Sequence, residues 1–232
     1  MKPVFFLLAL AVLAAGLAPP AGALTLGQFD DFEDGTTQGW TVGLQGAPHP
    51  APPVNIADGG PGGAHDNDLR LTSVGGQGPG SRLSAINVTQ WAGDYLSEGV
   101  HFLGMDLRNL GATDLSLRLL FADPTGGPPA NVAISSDPIL LGAGGAWTRV
   151  YFAIDPSDLT PILGSAHDAL SGATELRLFH GAGTAFPPDP IAAQLGVDNI
   201  TALASVPAVP EPSTWCLLAA GVGLLASWRR KR

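Results

Sequence analysis

The sequence predicts an all-β fold, an antiparallel β-sandwich, on three observations. Apolar and polar residues alternate with a period of two in several short runs, the pattern of strands that lay one face on a core. Turn residues separate those runs at short spacing, drawn from 31 glycines and 21 prolines. Helix signals are scarce, yet apolar residues make up 45% of the chain, too many for a disordered linker.

In chain order, residues 26–32 form a first strand candidate, followed by an Asp34-Gly35 turn and Gly39-Trp40-Thr41-Val42. Residues 47–63 read as a Pro/Gly loop ending in His65-Asp66-Asn67-Asp68, with alternating segments at 69–72 and 84–89 and a glycine-rich break at 75–80. The clearest strands come next. Over 101–109, Leu103, Met105 and Leu107 share one face, and Asp106 and Arg108 the other. Over 115–121 every odd residue is apolar and Arg118 points away. Over 148–154, Val150, Phe152 and Ile154 face in, while Trp147, Arg149 and Tyr151 face out. Over 175–180, Leu176 and Leu178 oppose Arg177 and Phe179, and 195–203 closes the domain. Helix is confined to a turn capped at Asp155-Pro156-Ser157-Asp158 and a short stretch at 166–170.

The two ends carry an address. Met1-Lys2 is a small cationic start, Val4 to Leu17 is uncharged and apolar, and Ala21-Gly22-Ala23 is an A-x-A cleavage site. Residues 1–23 therefore read as a signal peptide, with the mature chain starting at Leu24. At the other end, Pro210-Glu211-Pro212 precedes an apolar segment from Trp215 to Trp228 and then Arg229-Arg230-Lys231-Arg232. Those 14 apolar residues make a helix of only about 21 Å, against a bilayer core of about 30 Å. The span is reached over residues 213–228, as one transmembrane helix with Ser213 and Thr214 included and its arginines snorkelling. Residues 205–212 are a linker, and the cations of 229–232 stay cytoplasmic, which puts the 24–204 domain across the inner membrane.

The order Val209-Pro-Glu-Pro-Ser-Thr214, apolar helix, terminal Arg-Arg-Lys-Arg resembles the PEP-CTERM sorting signal of Gram-negative bacteria. That resemblance implies recognition by an exosortase, cutting near Pro210, Glu211 and Pro212. It further implies a host that makes exopolysaccharide, a transient inner-membrane anchor, and delivery to the outer envelope or outside the cell. The alternative is a plain tail anchor.

Composition limits the partners. Within 24–204 stand 19 acidic and 6 basic residues, all arginine, a net charge near −13. Such a field repels nucleic acid and anionic lipid and disfavours phosphate-rich ligands, but accommodates neutral sugars and calcium. The single cysteine, Cys216, lies in the tail, so the exported domain has neither a disulfide nor a cysteine nucleophile.

A second resemblance rests on Asp31-Phe-Glu-Asp-Gly35 with Gly39-Trp40, on Trp147-Thr-Arg-Val-Tyr-Phe-Ala153, and on Gly196-Val-Asp-Asn-Ile-Thr201. These are similar to the jelly-roll carbohydrate-binding modules of the galactose-binding-like type. The likeness implies that first and last strands lie side by side, with Glu33 and Asp198 holding a structural calcium; Asp31, Asp34 and Asn199 are helpers by proximity alone. The other reading of this acidic stretch is a solvated turn. His65-Asp66-Asn67-Asp68 fits no EF-hand spacing and reads as a polar turn.

Arg108, Arg118, Arg149 and Arg177 occupy outward positions in four strands, with Tyr151 in phase, and are candidate sugar-binding residues if one concave face gathers them. Strands on opposite sheets would instead separate them into solvated, ion-paired faces. No HExxH, GxSxG, P-loop or dinucleotide motif stands in context. The expected role is therefore non-catalytic glycan binding or structure. The alternative is a glycan lyase or hydrolase using acids such as Asp106 or Glu175.

Overall fold

The computed structural model describes residues 24–43, 49–123 and 128–208. The expected signal peptide, the Pro210-Glu211-Pro212 motif, the 213–228 helix and the basic tail lie outside the described residues. Among the described residues, no helix is long and apolar enough to cross a membrane.

Two antiparallel sheets stack face to face. The first runs β2 (Val54–Ile56), β3 (Asp68–Val74), β12 (Ala192–Leu203), β5 (Phe102–Asn109), β9 (Thr148–Ala153), with β1 (Phe29–Asp30) also on β12. The second runs β10 (Leu159–Leu163), β7 (Asn131–Ser135), β6 (Leu115–Asp123), β11 (Glu175–His180), β4 (Ser84–Asn87), with β8 (Ile139–Leu141) on β6. The first and last strands are adjacent, Phe29 opposite Thr201 and Asp30 opposite Ile200.

Alternation decides the layering. Leu69, Leu71, Leu103, Met105, Leu107, Leu195 and Val197 of the first sheet meet Leu117, Leu119, Phe121, Leu176 and Leu178 of the second, all 2% exposed or less. Strand β6 is apolar on both faces because Leu120 and Ala122 join Ile134 and Phe179 in a smaller cluster on the outside of the second sheet.

The first strand shrinks to two residues because the chain turns at once, with Phe32 at φ +59°. Four strands carry no alternation signal of their own: β2, β7, β8 and β10. Of these, β10 contains Pro161, which an edge strand tolerates, and its pairing to β7 shifts register beyond that proline. The helical turns form as expected. Pro156–Asp158 is a 3₁₀ turn with a reciprocal Asp155/Asp158 capping box. Helix α1 (Ala166–Ser171) is capped by the Ser165 hydroxyl, which accepts from the Asp168 amide at 3.0 Å.

A bulge in β12 shapes the outer surface. Register with β5 shifts between Asp198 and Thr201, and Asn199 takes φ +51°. The extra residue resets the inward parity, so Val197 and Ile200 both enter the core. Asp198 and Asn199 are both left on the outer side, where the Asn199 amide donates to Asp106 Oδ2 at 2.9 Å.

Candidate functional site

The five ligand candidates divide between two surfaces. Arg108, Arg149 and Tyr151 stand on the outer face of the first sheet, Arg118 and Arg177 on the outer face of the second. Those faces point away from each other, so no single concave surface gathers all five. Arg118 is also withdrawn from solvent at 5% exposure. Its guanidinium donates to the carbonyls of Ser135, Ser136, Gly181 and Ala182, bracing the β7 end and the turn after β11.

On the first sheet, side chains bind one another. Arg149 Nη1 donates to the Asn199 carbonyl at 2.6 Å, and Nη2 donates to Thr201 Oγ1 at 3.1 Å. Asp106 Oδ2 lies 3.6 Å from Arg149, and the Tyr151 ring lies 5.6 Å under its guanidinium carbon. Trp147 lies over Gly196: a Cβ there would come within 2.7 Å of the indole. Asp68 is fully buried and pairs with Arg70 at 3.1 Å. Most polar groups on this face bind one another, with the aromatic groups at one edge, but the buried Trp147 indole N–H has no protein partner.

Glu33 and Asp198 come within electrostatic range of each other, as the adjacency of first and last strands requires. Asp198, 1% exposed, has its carboxyl pushed up to about 7, chiefly by burial, and further by the charges of Asp66, Asp106 and Glu33 against the Asn199 amide bond that opposes the shift. The oxygens are engaged, however. Glu33 Oε1 accepts from the Asn67 amide at 2.8 Å, and both Asp198 oxygens accept from Asn199. Asp31 and Asp34 accept only from the backbone or side chains of Glu33, Thr36 and Gln38. Among the described residues, no group of three His, Cys, Asp or Glu side chains forms a ready-made metal site. His65, at φ +66°, stands in a turn that leads through Asp66 and Asn67 into β3 at Asp68.

A cleft of about 290 Å³ opens instead at the β4 edge of the second sheet. This is near the low end of small-ligand pockets, about 300–1,000 Å³. Arg177 reaches it from β11 and Ser84 from β4; His49, Ser81, Arg82 and Phe186 reach it from three loops. Phe186 is 38% exposed, is held edge-on by Phe179 at 5.7 Å, and carries the Arg177 guanidinium 4.8 Å from its ring centre. Glu175 fixes Arg177 through a 2.6 Å ion pair. Arg82 is anchored by donating Nε–H to the Pro188 carbonyl. His49 Nδ1 accepts from the Ala51 amide at 3.2 Å, which assigns the neutral ring's proton to Nε2. Ser81 is fully buried, and its hydroxyl has no protein partner. An exposed ring among directed N–H and O–H groups is suited to a polyhydroxylated ring with one apolar face. Apart from Arg177, sequence reasoning singled out none of these cleft residues, since positions 49, 81–82 and 186 share no motif.

Asp106 and Glu175 stand on opposite outer faces, so these two acids do not oppose each other across one cleft.

Residues 208–232 match the PEP-CTERM protein-sorting motif. No curated protein matches the chain. Among solved structures it is similar to the family 11 carbohydrate-binding module from Clostridium thermocellum, in complex with a β-1,3-1,4-mixed-linked tetrasaccharide. That likeness has a TM-score of 0.52 at 14% identity, over 79% of this chain and 99% of the module. A solution structure of the C. thermocellum family 11 module gives 0.52 at 15%, over 84% and 100%. An exo-β-agarase gives 0.51 at 16% over 79% of this chain, which spans only 25% of that enzyme. The fold is thus that of a carbohydrate-binding-module-like jelly roll.

Proposed function

We propose that this is an exported, non-catalytic glycan-binding protein whose β-sandwich holds a saccharide in the cleft at the β4 edge. The observation that carries the reading is Phe186, a partly exposed ring fixed by Phe179 and Arg177 inside a cavity lined with hydrogen-bonding groups. The likeness over the whole length of a module known with a bound tetrasaccharide supports it. The sorting motif supports the address: the signal peptide takes the chain through the inner membrane, residues 213–228 hold it there transiently, and an exosortase releases it near Pro210-Glu211-Pro212. Its expected partner outside is exopolysaccharide. Nucleic acid is disfavoured by the net charge.

Calcium belongs to the same proposal. A divalent ion would relieve the mutual repulsion of Glu33, Asp66 and Asp198, and would have to draw their carboxylates together from their present bonds.

A glycan array probed with the full chain in detergent tests the binding claim. Retention on at least one polysaccharide, lost in Phe186→Ala and unaccompanied by product release, is expected. Product release points to the lyase or hydrolase, and absence of retention to a purely structural domain.

A further inference from the structure

Resting on that reading of the cleft, we infer that its ligand is an acidic saccharide, one bearing a carboxylate such as a hexuronic acid unit, rather than a neutral glucan. The domain's 24–204 stretch holds 19 carboxylates and 6 arginines, so a surface chosen without regard to charge would be acidic. The cleft inverts this balance. It is lined by two arginines, Arg82 and Arg177, and by no acidic residue at all. Arg177 is neutralised from the side by Glu175. None of the described carboxylates forms an ion pair with Arg82. One uncompensated guanidinium therefore faces the cavity, held by its Nε bond to Pro188 so that its terminal nitrogens stay available to a planar anion.

A second observation points the same way. Ser81 is fully buried against this cleft, and its hydroxyl lacks the partner that buried polar groups ordinarily find. Its backbone is already committed: its amide donates to the Gly78 carbonyl and its carbonyl accepts from the Ile191 amide. The side chain is thus the free valence of an otherwise satisfied residue, next in sequence to Arg82. A sugar carboxylate received by Arg82 with the apolar face of the same unit on Phe186 uses two of these groups at once, and a small movement of the cleft wall that uncovers the enclosed Ser81 Oγ gives it a hydroxyl or ring oxygen of that unit. No bond is made or broken.

The test is affinity electrophoresis of the full chain in detergent against polygalacturonate, the same polymer methyl-esterified, and dextran sulfate. Polygalacturonate should be bound at least about ten-fold more tightly than the ester, which removes the charge and keeps the ring. Arg82→Gln keeps a donor at this position and loses the charge; it should cost about ten-fold on the acid polymer and clearly less on the ester. Ser81→Ala should weaken binding without lowering the thermal midpoint, because it deletes an unsatisfied buried hydroxyl. Equal or tighter binding of the ester overturns the acidic-sugar inference and leaves glycan binding standing. Tighter binding of dextran sulfate overturns the carboxylate assignment in favour of a sulfated sugar. Retention on no polysaccharide overturns both readings.

Discussion

Asp30 is a carboxylate built into the wall of the core. It accepts from the indole N–H of Trp40 at 2.9 Å and of Trp91 at 2.7 Å, and Gln90 lies beside it. Burial raises its proton affinity, and the hydrogen bonds from Trp91, Trp40 and Gln90 oppose the rise. Asp30→Ala would leave two buried indole donors without an acceptor, at a cost of about 2–4 kcal/mol in urea unfolding, with changed near-UV signals from both tryptophans. Asp198 makes a different prediction. An unfolded aspartate titrates near 3.9, whereas the folded carboxyl titrates at about 7. Between those values the folded state holds the extra proton, so stability of the metal-free protein falls as pH rises through the window and levels off above it. Unfolding free energies from urea titrations in chelator across pH 4 to 8 should decline by on the order of a few kcal/mol, and Asp198→Asn should flatten the decline. An unchanged slope in that variant would remove Asp198 from the account.

At the scale of elements, β12 carries the most weight, pairing β3, β5 and β1. Its bulge depends on Asn199, one of the residue types that tolerate φ > 0. Asn199→Val should cost about 1–2 kcal/mol for the backbone alone, and it deletes the side-chain amide bond to Asp106 Oδ2. Gly196→Ala should push Trp147 off the sheet, visible as a red-shifted, more quenchable fluorescence. Strands β5 and β9 were legible in the sequence because each lays a single apolar face on the core, and β6 and β11 because their inward residues still alternate with Arg118 and Arg177 although Leu120, Ala122 and Phe179 form a second cluster outside. Strands β2, β7, β8 and β10 were hidden: they are short, or interrupted by Pro161, or lie in segments where both neighbours are apolar. Alternation also told on which side of the sheet Arg118 lies, but not that the carbonyls of Ser135 and Gly181 would enclose it there. The cleft was illegible for a plainer reason. Loops separated by up to 137 residues supply it, from His49 to Phe186, and only the stacking of the sheets brings them to one edge.

For the whole molecule, the address and the body make separable claims. Mass spectrometry of the secreted form should find a C-terminus near Pro210–Ser213; an intact Arg232 would argue for a plain tail anchor. Chelation of the mature protein at neutral pH should lower its thermal midpoint by several degrees if calcium holds Glu33 and Asp198, and leave it unchanged otherwise. Neither outcome decides what the body binds. The direct measurement is a crystal structure grown with an acidic oligosaccharide. The account predicts a sugar ring on Phe186 with its carboxylate at Arg82. A saccharide seated on the opposite face, over Trp147 and Tyr151, would contradict it.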